Sequence, residues 1–231
     1  MGKITNIILS SNPIYKDLLA KLKSKTDLKW IYVDKTDELN KNNFFQTDTK
    51  NINKIFIPHW SYKIPKVIYE NYECVLFHMT DLPFGRGGSP LQNLIKMGFS
   101  ETKISALRVV QEIDAGPIYL KENLILKGNA TEIFERASKV IEHMILKIIN
   151  KKIKPLPQVG NPTFFKRRKT FQSEIIEIEN LKGLYDHIRM LDYELYPKAF
   201  LDYENFRLVF ENARLDIKKE EIICNVRISK K

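Results

Sequence analysis

The sequence has few of the residues that mark the special classes of protein. Two cysteines in 231 residues, Cys74 and Cys224, cannot build a disulfide scaffold, and they match no zinc-ligand spacing. Nine glycines and ten prolines exclude a collagen-like chain, and 43% apolar residues argue against disorder. No apolar run approaches the ~18 residues of a membrane span. The N-terminal apolar run stops at Ser10-Ser11-Asn12, too early for a signal-peptide core. A reducing cytoplasm without membrane attachment is therefore the expected setting. Acidic residues are in the minority as well: 28 Asp and Glu face 38 Lys and Arg, a formal charge of +10. Most of the cations are scattered. Between residues 151 and 169, however, seven cations meet no acid. Such a run serves either as a solvated linker or as a contact for an anionic ligand.

What is present reads as alternating strands and helices. Ile4–Ser10 is a β-branched run that predicts a buried strand, and Tyr15, Leu18, Leu19 and Leu22 follow at helical spacing. Trp30–Asp34, Ile55–Pro58 and Cys74–His78 predict further strands, with a short helix over Pro65–Tyr72, while 35–53 is polar and ambiguous. This alternation argues an α/β fold with a mostly parallel, Rossmann-like sheet. Pro90 opens a helix with Leu91, Leu94, Ile95 and Met97 inward. Ile104–Val110 and Pro117–Leu126 read as a strand pair. Asn129-x-x-Glu132 is a capping box before a long amphipathic helix that ends near Asn150. After 152 the pattern breaks. The expected organisation is a catalytic domain over 1–152, a linker or substrate loop over 153–170, and a small α+β unit over 171–231. In that unit a helix around Leu184, Ile188 and Leu191 precedes short antiparallel runs at Ala199–Tyr203, Phe206–Phe210, Arg214–Ile217 and Ile222–Ile228.

Candidate chemistry concentrates at the end of the fourth strand. In open α/β sheets, ligands bind beyond the carboxyl ends of strands, and His78 sits there, before a Gly/Pro-rich loop. It reads either as a general acid/base or as a buried ring satisfied by a carbonyl. Gly85-Arg86-Gly87-Gly88-Ser89-Pro90 leads into a helix start, where backbone N–H groups can face an anion, but it matches no dinucleotide or triphosphate loop. Asp114, between two predicted strands, reads either as an ordinary turn residue or as the carboxylate that orients His78.

His78-Met79-Thr80-Asp81-Leu82-Pro83 with Arg86-Gly87-Gly88-Ser89-Pro90, followed by Ile113-Asp114-Ala115-Gly116, resembles the N10-formyltetrahydrofolate-dependent formyltransferases. Their pattern is Asn-x-His-x-Ser-Leu-Leu-Pro, then Arg-Gly and Pro, then Asp-x-Gly. The resemblance covers about residues 54–120 and implies His78 as acid/base, oriented by Asp114. It also implies N10-formyltetrahydrofolate as co-substrate, held around Ile64, Pro65, Gly85, Arg86, Gly87, Gly88, Glu112, Ile113 and Pro117, with no metal. The family Asn, a donor to the formyl oxygen, is Leu76 here. Thr80, Asn93 and protonated His78 are the candidate replacements.

In the second half, Asn161–Arg168, Leu184–Leu191 and Tyr196–Phe200 resemble sugar N-formyltransferases. That implies a nucleotide-linked amino-dideoxy sugar as acceptor, UDP-linked and of the pseudaminic-acid type, in glycan biosynthesis. Phe164, Phe165, Arg167 and Arg168 are the candidate acceptor contacts, no nucleic acid is expected, and a homodimer is compatible. The rivals are methionyl-tRNA formyltransferase, for which about 60 residues after 170 look short, and glycinamide-ribonucleotide formyltransferase. A non-catalytic folate- or nucleotide-binding module and an RNA-binding protein using 151–169 are the non-enzyme readings.

Overall fold

The computed structural model describes residues 4–34 and 52–231, so most of the polar stretch 35–53 lies outside the described residues. Five helices and eleven strands are named here in chain order. They are β1 (Thr5–Ser10), α1 (Lys16–Lys25), β2 (Lys29–Val33), β3 (Ile52–His59), α2 (Lys66–Asn71), β4 (Glu73–His78) and β5 (Arg86–Gly87). Then come α3 (Pro90–Lys96), β6 (Glu101–Arg108), β7 (Ile118–Ile125), α4 (Ala130–Lys151), β8 (Phe164–Phe165), α5 (Leu181–Arg189), β9 (Ala199–Tyr203), β10 (Phe206–Asp216) and β11 (Glu221–Lys230). The chain divides into two compact units. One comprises residues 1–86, 103–124 and 136–164; the other comprises 87–102, 125–135 and 165–231.

The first unit is built on a six-stranded sheet in the order β2-β1-β3-β4-β6-β7. The β1–β2, β1–β3 and β3–β4 pairs are parallel, and β6 runs antiparallel to β4, with His78 opposite Ser105. The fold is thus α/β with a mostly parallel sheet, as expected. Ile7–Leu9, Ile55–Ile57 and Cys74–Phe77 at its centre are apolar because both faces are covered. Successive side chains alternate between the faces. Ile7, Leu9, Ile55 and Ile57 join Ile64, Ile68 and Cys74 in one buried cluster. Phe56 points the other way, 5.8 Å from Trp30 and 6.4 Å from Phe77 between ring centroids. The Cys74 thiol is buried, and burial pushes its pKa up to about 12, which keeps it in the unreactive thiol form. No described helix is long and apolar enough to cross a membrane.

The capping box forms as its spacing predicts: the Glu132 amide donates to Asn129 Oδ1 (3.0 Å), and the Asn129 amide donates to Glu132 Oε2 (3.0 Å). Behind it Ile133, Ala137, Ile141, Met144, Ile145 and Ile148 are buried along α4.

In the second unit, β11-β10-β9 form an antiparallel sheet on which α5 packs. The runs Phe206–Phe210 and Arg214–Ile217, read separately in the sequence, are parts of one strand. A bulge between Glu211 and Arg214 interrupts its register, with Asn212 in the left-handed region at φ +55°. A bulge breaks the alternation that marks a continuous strand. Leu91, Leu94 and Ile95 of α3 are buried as predicted. Met97 caps the helix end and stays 56% exposed. Arg189 is a buried structural cation: Nε donates to Asp186 Oδ1 (2.6 Å), and Nη1 donates to the carbonyls of Leu126 (2.7 Å) and Gly128 (2.8 Å).

Candidate active site

β4 delivers His78 at its carboxyl end, where the ring is 7% exposed. Nε2 lies 2.8 Å from the Gly85 carbonyl oxygen, and Nδ1 lies 3.6 Å from Asp114 Oδ2. One ring nitrogen thus faces a carbonyl and the other a carboxylate. Both partners are acceptors, and a neutral imidazole can donate to only one of them.

The loop after His78 is fixed from β6. Ser105 Oγ donates to the Thr80 carbonyl (2.7 Å) and accepts from the Leu82 amide (3.2 Å), just before a cis Leu82–Pro83 bond. Thr80 is fully buried, its hydroxyl 3.4 Å from the Gly85 carbonyl. Asp81 pairs with Lys103 and Lys121. Burial alone would raise its pKa, but hydrogen bonds from these two lysines outweigh it and hold the carboxyl below the usual range. Thr163 ties down the far side of the loop. Its hydroxyl accepts from the Gly85 amide (2.7 Å) and its carbonyl from the Arg86 amide (2.9 Å).

Asp114 reaches His78 because its backbone is left-handed, at φ +52°. Asp is one of the few residues other than glycine that tolerate this region. Gly116 has no such requirement, but a Cβ there would overlap the Arg108 carbonyl oxygen. Asp114 is 8% exposed, whereas its neighbour Ile113 is 70% exposed and Glu112 is exposed. Gln158 is a residue that the sequence reading did not single out. Its Nε2 donates to the carbonyls of Asp114 and Gly116 (2.8 Å each), and its Oε1 accepts from Arg86 Nη2 (2.7 Å) and Nε (3.2 Å). No local pattern marks it, because its partners lie 42 to 72 residues away.

Other candidates sit in different settings. Ile64 is buried in the apolar cluster, so its side chain packs, and Pro65 precedes α2. Pro117 closes the Asp114 loop, its carbonyl accepting from the Arg108 amide (2.8 Å). Leu76 packs against the same apolar cluster as Ile64, so no amide takes the place of the family Asn at this position.

Within the second unit, Gly87 and Gly88 lie against a neighbouring segment: a Cβ on Gly87 would meet the Phe165 carbonyl, and one on Gly88 would meet Arg167. Asn93 Nδ2 donates to the carbonyls of Gly88 (3.1 Å), Ser89 (2.9 Å) and Lys166 (3.2 Å), so its amide protons hold backbone. Arg168 is half-buried, which lowers its pKa, and its guanidinium donates to the Gln172 carbonyl; Arg167 is exposed. Phe165 is half-buried. Phe164, the last residue of the first unit, is 70% exposed.

The comparisons with known proteins bear on the family readings. Residues 170–229 match the family described as methionyl-tRNA formyltransferase, C-terminal domain. The structure superposes on methionyl-tRNA formyltransferase from Clostridium thermocellum with a TM-score of 0.91 and 44% identity, covering 99% of this chain and 100% of that one. Methionyl-tRNA formyltransferase from Wolinella succinogenes is 29% identical over 145 residues, 61% of this chain and 47% of its own length. The chain spans about half the length of the curated relatives it matches. A 4-N formyltransferase from Francisella tularensis shares only 16% identity, covering 96% of each chain at a TM-score of 0.68, a likeness of fold alone. These findings overturn two expectations, the nucleotide-sugar partner and the absence of nucleic acid. The stretch after residue 170, which looked short for a tRNA enzyme, is the part that matches the tRNA-formyltransferase C-terminal family. The aromatic and basic motifs behind the sugar reading fall at 161–200, where side-chain type alone does not separate a diphosphate from an RNA phosphate. The approach of Asp114 to His78 at the end of β4 and similarity at 44% identity over 99% of this chain lead to one conclusion: the chain belongs to the formyltransferase family that uses N10-formyltetrahydrofolate.

Proposed function

We propose that this chain transfers the formyl group of N10-formyltetrahydrofolate to the amino group of methionyl-tRNA. The observation that carries the reading is the 44% identity, over 99% of this chain, with a methionyl-tRNA formyltransferase. The match of 170–229 to the corresponding C-terminal family supports it.

Bound N10-formyltetrahydrofolate supplies the formyl carbon as an activated amide. The residues around Asp114 suit such a ligand: Ile113 offers an exposed apolar surface beside backbone groups of 112–117, which can meet the edge of a flat heterocycle. His78 accepts the proton that the attacking amine loses and returns one to the leaving nitrogen, a general acid–base role worth roughly 10²–10⁴-fold. Asp114 faces Nδ1 and stabilises the ring while it carries that proton, and Gly85 fixes the ring from the other side. With Leu76 in place of an amide, and Asn93 and Thr80 directed at backbone carbonyls, the side chains left to carry the transfer are His78 and Asp114.

The test is direct. Purified protein is incubated with N10-formyltetrahydrofolate and methionyl-tRNA, and the esterified methionine is released and weighed for one added formyl group. Formylmethionine is the expected product. A protein that leaves methionyl-tRNA unchanged while formylating a UDP-linked amino sugar would overturn the reading.

A further inference from the structure

Gln158 touches both the Arg86 loop and the Asp114 loop through a single side chain. Its orientation is fixed by chemistry. A guanidinium only donates and carbonyls only accept, so Oε1 must face Arg86 and Nε2 must face Asp114 and Gly116. Both amide protons and the amide oxygen are thereby used. The two carbonyls it holds flank the left-handed turn that aims the Asp114 carboxylate at His78. The 3.6 Å separation between that carboxylate and Nδ1 depends on the backbone of 114–116, because Asp114 has a short side chain.

We propose that Gln158 is a positioning residue for the His78–Asp114 pair. Locked by Arg86, it sets the backbone that presents Asp114 to the imidazole. The inference rests on the proposed formyl transfer for its kinetic consequence but not for its structural one. Displacing catalytic groups by ~1 Å can cost about 100-fold in rate. Gln158→Leu removes all four hydrogen bonds. Gln158→Glu keeps an acceptor for Arg86 and loses both donations.

In the full chain, both variants should lower kcat by ~10- to 100-fold. Because the effect runs through Asp114, adding Gln158→Leu to Asp114→Asn should lower kcat by no more than about twofold further, whereas independent roles would multiply. A readout without turnover accompanies these: the ring ¹⁵N resonances of His78 in protein labelled at its four histidines. Gln158→Leu should move the His78 signals as Asp114→Asn does and leave the other three in place. His78 signals that keep their wild-type positions in folded Gln158→Leu protein would overturn the proposal, as would fully multiplicative losses in the double variant. A wild-type protein that transfers no formyl group while its His78 signals still respond to Gln158→Leu would count against the formyl-transfer reading and leave the positioning role standing.

Discussion

At the scale of single residues, the site depends on side chains that differ in what they touch. His78 and Asp114 face each other at 3.6 Å with under a tenth of either exposed, so removing either deletes this buried contact. We expect His78→Ala and Asp114→Ala each to lower formyl transfer by at least ~100-fold in single-turnover assays, the lower end of acid–base contributions. Transfer by His78→Ala within tenfold of wild type would remove the ring from the mechanism. Ser105 acts on the backbone instead. Its hydroxyl satisfies the Thr80 carbonyl and the Leu82 amide inside the protein, so Ser105→Ala strands one donor and one acceptor. The expected loss is about 1–3 kcal/mol in denaturant unfolding. A Ser105→Ala protein as stable as wild type would mean that the loop re-pairs by itself.

Elements explain why these residues stand where they do. β4 is apolar from Cys74 to Phe77 and pairs on both sides, so His78 emerges at a fixed height beside Ser105 of β6. α5 carries a group sensitive to pH. His187 is held below the usual histidine value of 6.5, first by burial and then by the charges of Arg168 and Lys96, against a hydrogen bond to the Ser173 carbonyl. Just below 6.5 the unfolded chain therefore binds more protons at this position than the folded one. Its contribution to stability is present above 6.5 and is lost as pH falls. Between pH 7.5 and 5.5 the Tm of wild type should drop further than that of His187→Gln. Equal drops would show that His187 titrates alike in both states.

For the whole molecule, the +10 charge belongs with an anionic acceptor, and the proposed methionyl-tRNA is one. If about three phosphates are contacted, raising salt from 50 to 200 mM should weaken tRNA binding by ~10- to 100-fold, while binding of the folate should change little. A salt-independent KM for methionyl-tRNA would argue against phosphate contacts. How much of this was legible in the chain depends on distance along it. The β-α alternation, the Asn129–Glu132 box, the amphipathic α4 and the apolar strand ending in His78 all act within a turn or a strand, so residue order alone determined them. Asp114 in its left-handed turn, Gln158 spanning the two loops, and the joining of 87–102 and 125–135 with 165–231 arise between residues far apart in sequence. Periodicity carries no signal at those separations. Only the packed tertiary structure, through strand register and the steric limits at Gly116, decided that a carboxylate 36 positions after His78 would meet its ring.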